Sequence, residues 1–263
     1  MLEKKRTLLC ENCKRTMKSR IAILFSMFVL APSLLVGQEY NAATQVRTAS
    51  VVTAPRSEWL GSFDGISVNG MMHVHIIGQP SSEGPRIVYD TKGEASPRFK
   101  AAVDKYGILR IEEPVDSKRT TVTEVTVYCN ALSSLNVAAA DLVFDTTVDS
   151  RMFDLYVSGG ANVRGRFEVA DLSVEATGRS SIVLDGSARY LTLNISTAKF
   201  DGSSLQTVSS IVDASHGAEV SIAVSERIEA ATATSAKISY KGRPDIVRLR
   251  TTMFGGEITA SDE

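Results

Sequence analysis

The sequence predicts an all-β chain: a right-handed parallel β-helix, or β-solenoid, of about seven coils behind an N-terminal β-strand cap. Three observations carry that expectation. The first is a triplet of a small, a polar and an apolar residue that recurs through the C-terminal half. Its copies are Ala140-Asp141-Leu142, Ala161-Asn162-Val163, Ser180-Ser181-Ile182, Ala198-Lys199-Phe200, Ala218-Glu219-Val220, Ala236-Lys237-Ile238 and Gly256-Glu257-Ile258. Successive apolar members are 21, 19, 18, 20, 18 and 20 residues apart, and a period that survives such small insertions marks stacked repeats. The second observation is strand-like alternation after the triplet, as in Ile182-Val183-Leu184 and Val220-Ser221-Ile222, and before it, as in Phe153-Leu155-Val157 and Leu191-Leu193-Ile195. The third is that no heptad or helical apolar stripe competes with this pattern. A β-sandwich also has short strands and frequent turns, but it gives no reason for one triplet at every turn.

The elements follow in chain order. Lys14, Arg15, Lys18 and Arg20 precede an unbroken, mostly apolar run from Ile21 to Val36, with Pro32 near its end. A basic stretch before a short apolar segment reads as a secretory signal over residues 1–37, with Met17 as an alternative start and cleavage after Gly37. The run is short for a membrane span, and no Cys follows it to carry a lipid. Residues 38–58, with Pro55 and no strong pattern, read as a flexible lead-in.

A single domain is expected from residue 59 to residue 263. Its part from 59 to 130 forms the cap. There Phe63, Ile66 and Val68, then Val74 and Ile76, suggest two strands joined around Gly70. Further alternating runs follow at Arg86–Tyr89, Ile108–Ile111 and Val122–Cys129. Antiparallel or irregular strands of this kind would shield the exposed edge of the first coil. From 131 to 263 each repeat holds short strands and turns such as Ser158-Gly159-Gly160, Thr177-Gly178-Arg179 and His216-Gly217. One coil cannot bury its inner face alone, so coils stack with strands roughly 4.8 Å apart. The small residue of each triplet is expected to point inward at a corner, where a larger side chain would push coils apart.

Charge and cysteine content restrict the function. Residues 1–37 carry seven basic and two acidic side chains, and their removal leaves 22 Lys plus Arg against 28 Asp plus Glu, a net of −6. Nucleic acid is not an expected partner, because phosphate binding needs a basic face. Cys10 and Cys13 form a C-x-x-C pair, but both lie upstream of the apolar run. Cys129 then remains alone, as a buried strand thiol, and no disulfide forms within the processed monomer.

Three stretches resemble a known family. Phe63-Asp64-Gly65-Ile66-Ser67-Val68-Asn69-Gly70 is similar to the opening of the head GIN domain of bacterial auto-transporter adhesins. Ser158-Gly159-Gly160-Ala161 resembles its repeated Ser-Gly-Ala element, and Tyr240-Lys241-Gly242-Arg243-Pro244 with Gly255-Gly256 resembles its close. The resemblance spans about residues 59–260 and implies an exported protein with a β-helical domain. Ala138-Ala139-Ala140 and Ser196-Thr197-Ala198 depart from it by lacking the glycine, so those corners are expected to be shaped differently. No auto-transporter barrel is expected after the repeats.

Few residues suggest chemistry. His73 and His75 share one strand face, opposite Met72, Val74 and Ile76, and an H-x-H pair supplies two ligands where a metal needs at least a third. The remaining histidine, His216, falls in a distant turn, so solvated histidines are expected. Asp185-Gly186 and Asp201-Gly202 follow strands in adjacent coils and are candidates for the neighbouring carboxylates that a polysaccharide lyase or hydrolase uses on one solvent-facing sheet, but Asp-Gly is also a routine turn pair. Arg164, Arg166, Arg179, Arg189, Lys199 and Lys241 are outward candidates among scattered acids. Aromatic residues make up 6% of the chain, and the single tryptophan, Trp59, lies outside the repeats, so no row of sugar-stacking platforms is evident. No catalytic, cofactor-binding or metal residue is assigned, and no cofactor is expected. The reading supported is an exported, non-catalytic binding module in the periplasm, on the outer surface or secreted, with an extracellular glycan or protein as partner and no membrane span after signal cleavage. The alternative is a carbohydrate-active enzyme on the same scaffold.

Overall fold

Stacked parallel ladders dominate the computed structural model, which describes residues 54–93, 98–114, 120–251 and 254–261. All of these lie in one unit, Ala49–Glu263. The expected signal segment, Cys10 and Cys13 fall outside the described residues. No helix occurs among the described residues, and seventeen strands do. They are β1 (Arg56–Trp59), β2 (Gly65–Asn69), β3 (Met72–Gly78), β4 (Arg86–Asp90), β5 (Lys100–Val103), β6 (Ile108–Glu112), β7 (Thr123–Cys129), β8 (Ser134–Ala138) and β9 (Asp141–Phe144). The longer repeats follow as β10 (Val148–Ser158), β11 (Asn162–Ala176), β12 (Ser181–Ser196), β13 (Lys199–Ser215) and β14 (Glu219–Thr232). The chain ends in β15 (Ala236–Lys241), β16 (Ile246–Thr251) and β17 (Gly256–Ser261).

The fold is an all-β solenoid of about seven turns. One parallel ladder runs β6, β2, β8 and then the second halves of β10 to β14, ending on β16. A second runs β7, β3, β9 and the first halves of β11 to β14, ending on β15 and β17. A short third ladder joins Val148–Ser150, Phe167–Val169, Gly186–Ala188 and Leu205–Thr207. Strands β10 to β14 exceed usual strand lengths because each bends around a corner and serves more than one ladder.

Every triplet from Ala140 to Ala236 behaves as expected. The small residue is buried, the apolar residue is buried, and the polar residue between them faces solvent or is half-buried, as at Ser181. Coils stack through shared apolar columns, among them Leu142, Val163, Ile182, Phe200, Val220 and Ile238 in register. Each such side chain contributes roughly 1.5–3 kcal/mol relative to exposure. Phe144, Phe153 and Phe167 meet edge to face within the core, with ring centroids 5.1–6.2 Å apart. At Gly186 a Cβ would lie 2.0 Å from the carbonyl oxygen of Phe167, and φ is +107°, so only glycine turns this corner without strain.

The corner before each triplet uses left-handed backbone. Two consecutive residues adopt it at Gly159-Gly160, Gly178-Arg179, His216-Gly217 and Thr234-Ser235, whereas Ala139 and Thr197 do so singly. The two corners that lack the family glycine, at Ala139 and Thr197, are therefore differently shaped, with one left-handed residue instead of two, whereas the Thr234-Ser235 corner keeps two without glycine. Hydrogen bonds between coils hold these costly conformations: the Thr197 N–H donates to Ser215 O at 3.2 Å, and the Gly217 N–H donates to Thr234 O at 2.9 Å.

The N-terminal strands β2 and β3 are joined around Gly70, as expected, and belong to the stack itself. β2 and β3 do not pair with each other around Gly70. They form two sides of one coil, in parallel register with β8 and β9. The coil made of β6 and β7 lies outside it, against β2 and β3. The chain thus enters the stack at its second coil, passes out to the first, and returns at the third. Antiparallel structure is confined to the cap, where β4 lies on β7, β1 on β4, and β5 on β6.

Candidate functional site

A groove crosses four successive coils where the third ladder turns into the first. Its geometry follows from the repeat. Asp149, Glu168, Ser187 and Gln206 stack in register on the outer side of the third ladder. Two residues further on, Arg151, Ala170, Arg189 and Val208 occupy the bend, 19 residues apart in each case. These eight residues, with Ser150, Thr207 and others, line a groove of about 730 Å³. One wall therefore carries carboxylates and an amide, and the bend carries two guanidinium groups. Both Arg151 and Arg189 are exposed.

The groove ends on a buried polar cluster. Thr207 Oγ1 donates to Ala223 O at 2.6 Å and lies 2.7 Å from Ser210 Oγ. Ser225 Oγ donates to Thr207 O at 3.1 Å. Pairing between β13 and β14 shifts register on both sides of this point, between Gly202 and Gln206 and again between Thr207 and Ser209. The hydroxyls supply partners that the interrupted ladder would otherwise leave unmet.

Beyond the bend, the outer face of the first ladder carries unexpected apolar and aromatic surface. Met152, Asp171 and Tyr190 stand in one column, and Tyr190 is 51% exposed. Tyr156 and Ile211 are also exposed on this face, among Asp154, Glu175, Asn194 and Asp213. Sequence reasoning missed this shelf because it looked for a row of aromatics at one repeat position. The available signal was the 38-residue spacing, two repeats, of Arg151 and Arg189, each followed directly by a large outward residue.

The residues singled out from the sequence are dispersed. His73 and His75 do face outward, opposite Met72, Val74 and Ile76. His73 Nε2 lies 3.6 Å from Asp141, and His75 Nδ1 lies 3.0 Å from Asp145, so each histidine meets its own carboxylate. His216 sits at a corner, with Nδ1 3.2 Å from Ser196 Oγ and 3.1 Å from Ser215 Oγ. Among the described residues no three His, Cys, Asp or Glu side chains gather in a way that could hold a metal.

Asp185 lies 3.8 Å from Arg166, a cationic partner not anticipated from the sequence. Asp201 accepts from the N–H and hydroxyl of Ser203, at 3.1 and 2.7 Å, as a turn aspartate does. Neither carboxylate lines the groove. Of the basic candidates, Arg166 pairs with Glu168 and Asp185, and Lys199 pairs with Glu219 at 2.7 Å. Arg164 is in register with Val183 on the second ladder, Arg179 is at a corner, Lys241 ends β15, and Arg189 alone of the six enters the groove. Cys129 is buried, which pushes its thiol pKa up to about 11. Trp59 is exposed on β1, away from these coils.

Comparison with known proteins points one way. Residues 62–244 match the family described as "putative auto-transporter adhesin, head GIN domain". A solved "putative adhesin" from Bacteroides fragilis is similar over 79% of this chain and 96% of its own, with TM-score 0.73 and 16% identity. A "putative adhesin" from Parabacteroides distasonis is similar over 79% and 96%, with TM-score 0.63 and 14% identity. A "putative lipid binding protein" from the same species is similar over 78% and 96%, with TM-score 0.61 and 14% identity. At these identities the likeness is one of fold. No curated protein matches the chain.

Proposed function

Because the chain belongs to the family described as "putative auto-transporter adhesin, head GIN domain", we propose that it is an exported, non-catalytic binding module of the cell envelope or cell surface. Its partner is an extended glycan or protein segment lying along the groove between Asp149 and Gln206. The observation that carries this reading is the groove itself. It is open, it crosses several coils, and it offers donors at Arg151 and Arg189 and acceptors at Asp149 and Glu168. Tyr190 and Met152 border it with apolar surface. An extended ligand meets successive coils at a regular spacing, which suits a repeat scaffold. The carboxylates considered for hydrolysis, Asp185 and Asp201, stand outside this groove and are engaged by Arg166 and Ser203. That placement supports binding over catalysis. Export rests on the basic and apolar segment that ends near Val36.

The test is binding of the purified chain to arrays of bacterial and host glycans and of matrix proteins, with cleavage products assayed in parallel. Saturable binding without product is expected. Arg189→Glu combined with Tyr190→Ala is expected to weaken it by about tenfold or more, since aromatic and arginine contacts dominate interface energy. New reducing or unsaturated ends would overturn the proposal in favour of a carbohydrate-active enzyme.

A further inference from the structure

The two ends of the stack are finished differently. At the N-terminal end, antiparallel β4 and β5 cover the edges of β7 and β6, and β1 covers β4. At the other end, among the described residues, β16 pairs only with β14, and β17 only with β15. The inward columns nevertheless continue into the last strands. Val247 follows the buried Ile228, and Leu249 follows the buried Ala230. Val247 and Leu249 are each 45% exposed, and Phe254, just beyond them, is 79% exposed. This is core sequence on which, among the described residues, no further coil is stacked.

The outward residues of β16 are Ile246, Arg248 and Arg250. Arg248 and Arg250 alternate with Val247 and Leu249. Arg248 Nη1 donates to Glu229 Oε1 on the neighbouring strand at 3.1 Å, whereas Arg250 stands beside Ala231. The ladder already pairs arginine with glutamate across strands, and its final strand presents arginine at two successive outward positions. A groove of about 630 Å³ runs alongside, lined by Val247 to Arg250 and by Asp213 and Glu229.

We propose that the free edge of β16 accepts an extended segment of another protein in which apolar and acidic residues alternate, added as one more strand. Main-chain hydrogen bonds would supply affinity and the alternating side chains specificity. Apolar residues would cover Val247 and Leu249, and carboxylates would stand beside Arg248 and Arg250. A second copy of the same edge does not meet this requirement. Antiparallel pairing that keeps the apolar residues inward sets Arg248 and Arg250 against arginines of the copy, and like charges directly opposite are destabilising. The lead-in of this chain does not meet it either, because residues 38–53 hold one acid, Glu39, and one base, Arg47.

The experiment titrates the full chain with three peptides and follows binding by calorimetry. One peptide alternates valine and glutamate, one alternates valine and lysine, and one is the glutamate peptide broken by a central proline. Saturable binding of the unbroken glutamate peptide alone is expected. Arg250→Glu should weaken that binding by about tenfold and let the lysine peptide bind, and this gain also reports a folded variant. Equal binding of the proline peptide would overturn the proposal, as would unchanged affinity after Arg250→Glu. Self-association of the chain by sedimentation, with no peptide bound, would assign the edge to a second copy instead. Arg189→Glu in the groove should leave the peptide titration unchanged, so the edge and the proposed binding groove can fail separately.

Discussion

Ala218 lies fully buried beside a left-handed corner, with its N–H donating to Ser215 O at 3.1 Å and Val220 continuing the apolar column behind it. It has Ala198 before it and Ala236 after it at equivalent points of neighbouring coils, both also buried. A larger side chain there has no direction to grow without separating two coils. Ala218→Phe is expected to destabilise the fold by about 1–3 kcal/mol or more, through overpacking. Thermal melting checks this, and a variant melting with the parent would mean that the triplet does not point inward. The triplet was legible because inward placement depends only on local alternation and on the repeat. The last copy shows the limit of that reasoning: Gly256 and Ile258 are only half-buried, because burial also needs a following coil.

At the scale of the strand, the outer column through the triplets alternates in charge where coils meet. Lys199, Glu219 and Lys237 stand in register on β13, β14 and β15. The Lys199 ammonium, hydrogen-bonded to Glu219, holds the carboxyl pKa below its ordinary 4.5, and its charge and that of Lys237 add to the effect. A carboxyl whose folded-state pKa is depressed stabilises the fold above its unfolded value, and that stabilisation is lost as the pH falls through the lower folded-state value. The wild-type chain is therefore expected to lose a small part of its stability below about pH 4.5, and Lys199→Met should flatten that decline. Melting curves between about pH 7 and pH 3 decide it, and parallel profiles for the two proteins would refute the coupling. These pairs were not legible beforehand. Lys199 and Glu219 are 20 residues apart, and only the coil register puts them in contact.

In the molecule as a whole, each coil is stabilised chiefly by its two neighbours, so stability should vary along the stack. β11 to β13 have a coil on either side, and β1, β4 and β5 cover the N-terminal edge, whereas β16 and β17 have neighbours on one side only among the described residues. Native-state hydrogen exchange is expected to show strongest protection in β11 to β13 and a fall through β15 to β17. Uniform protection would mean that the stack opens as one unit. The sequence by itself determined the solenoid, the repeats from Ala140 onward, the inward triplet and the outward placement of His73 and His75, because period and alternation are local properties of the chain. Only the tertiary structure decided that β6 and β7 lie outside β2 and β3, because parallel strands 43 and 51 residues apart in register carry no local mark of their order. It alone also assembled the groove of Arg151 and Arg189 and left Val247 and Leu249 uncovered. Contacts between coils are set by register across the stack, and register becomes fixed only when every coil has found its neighbour.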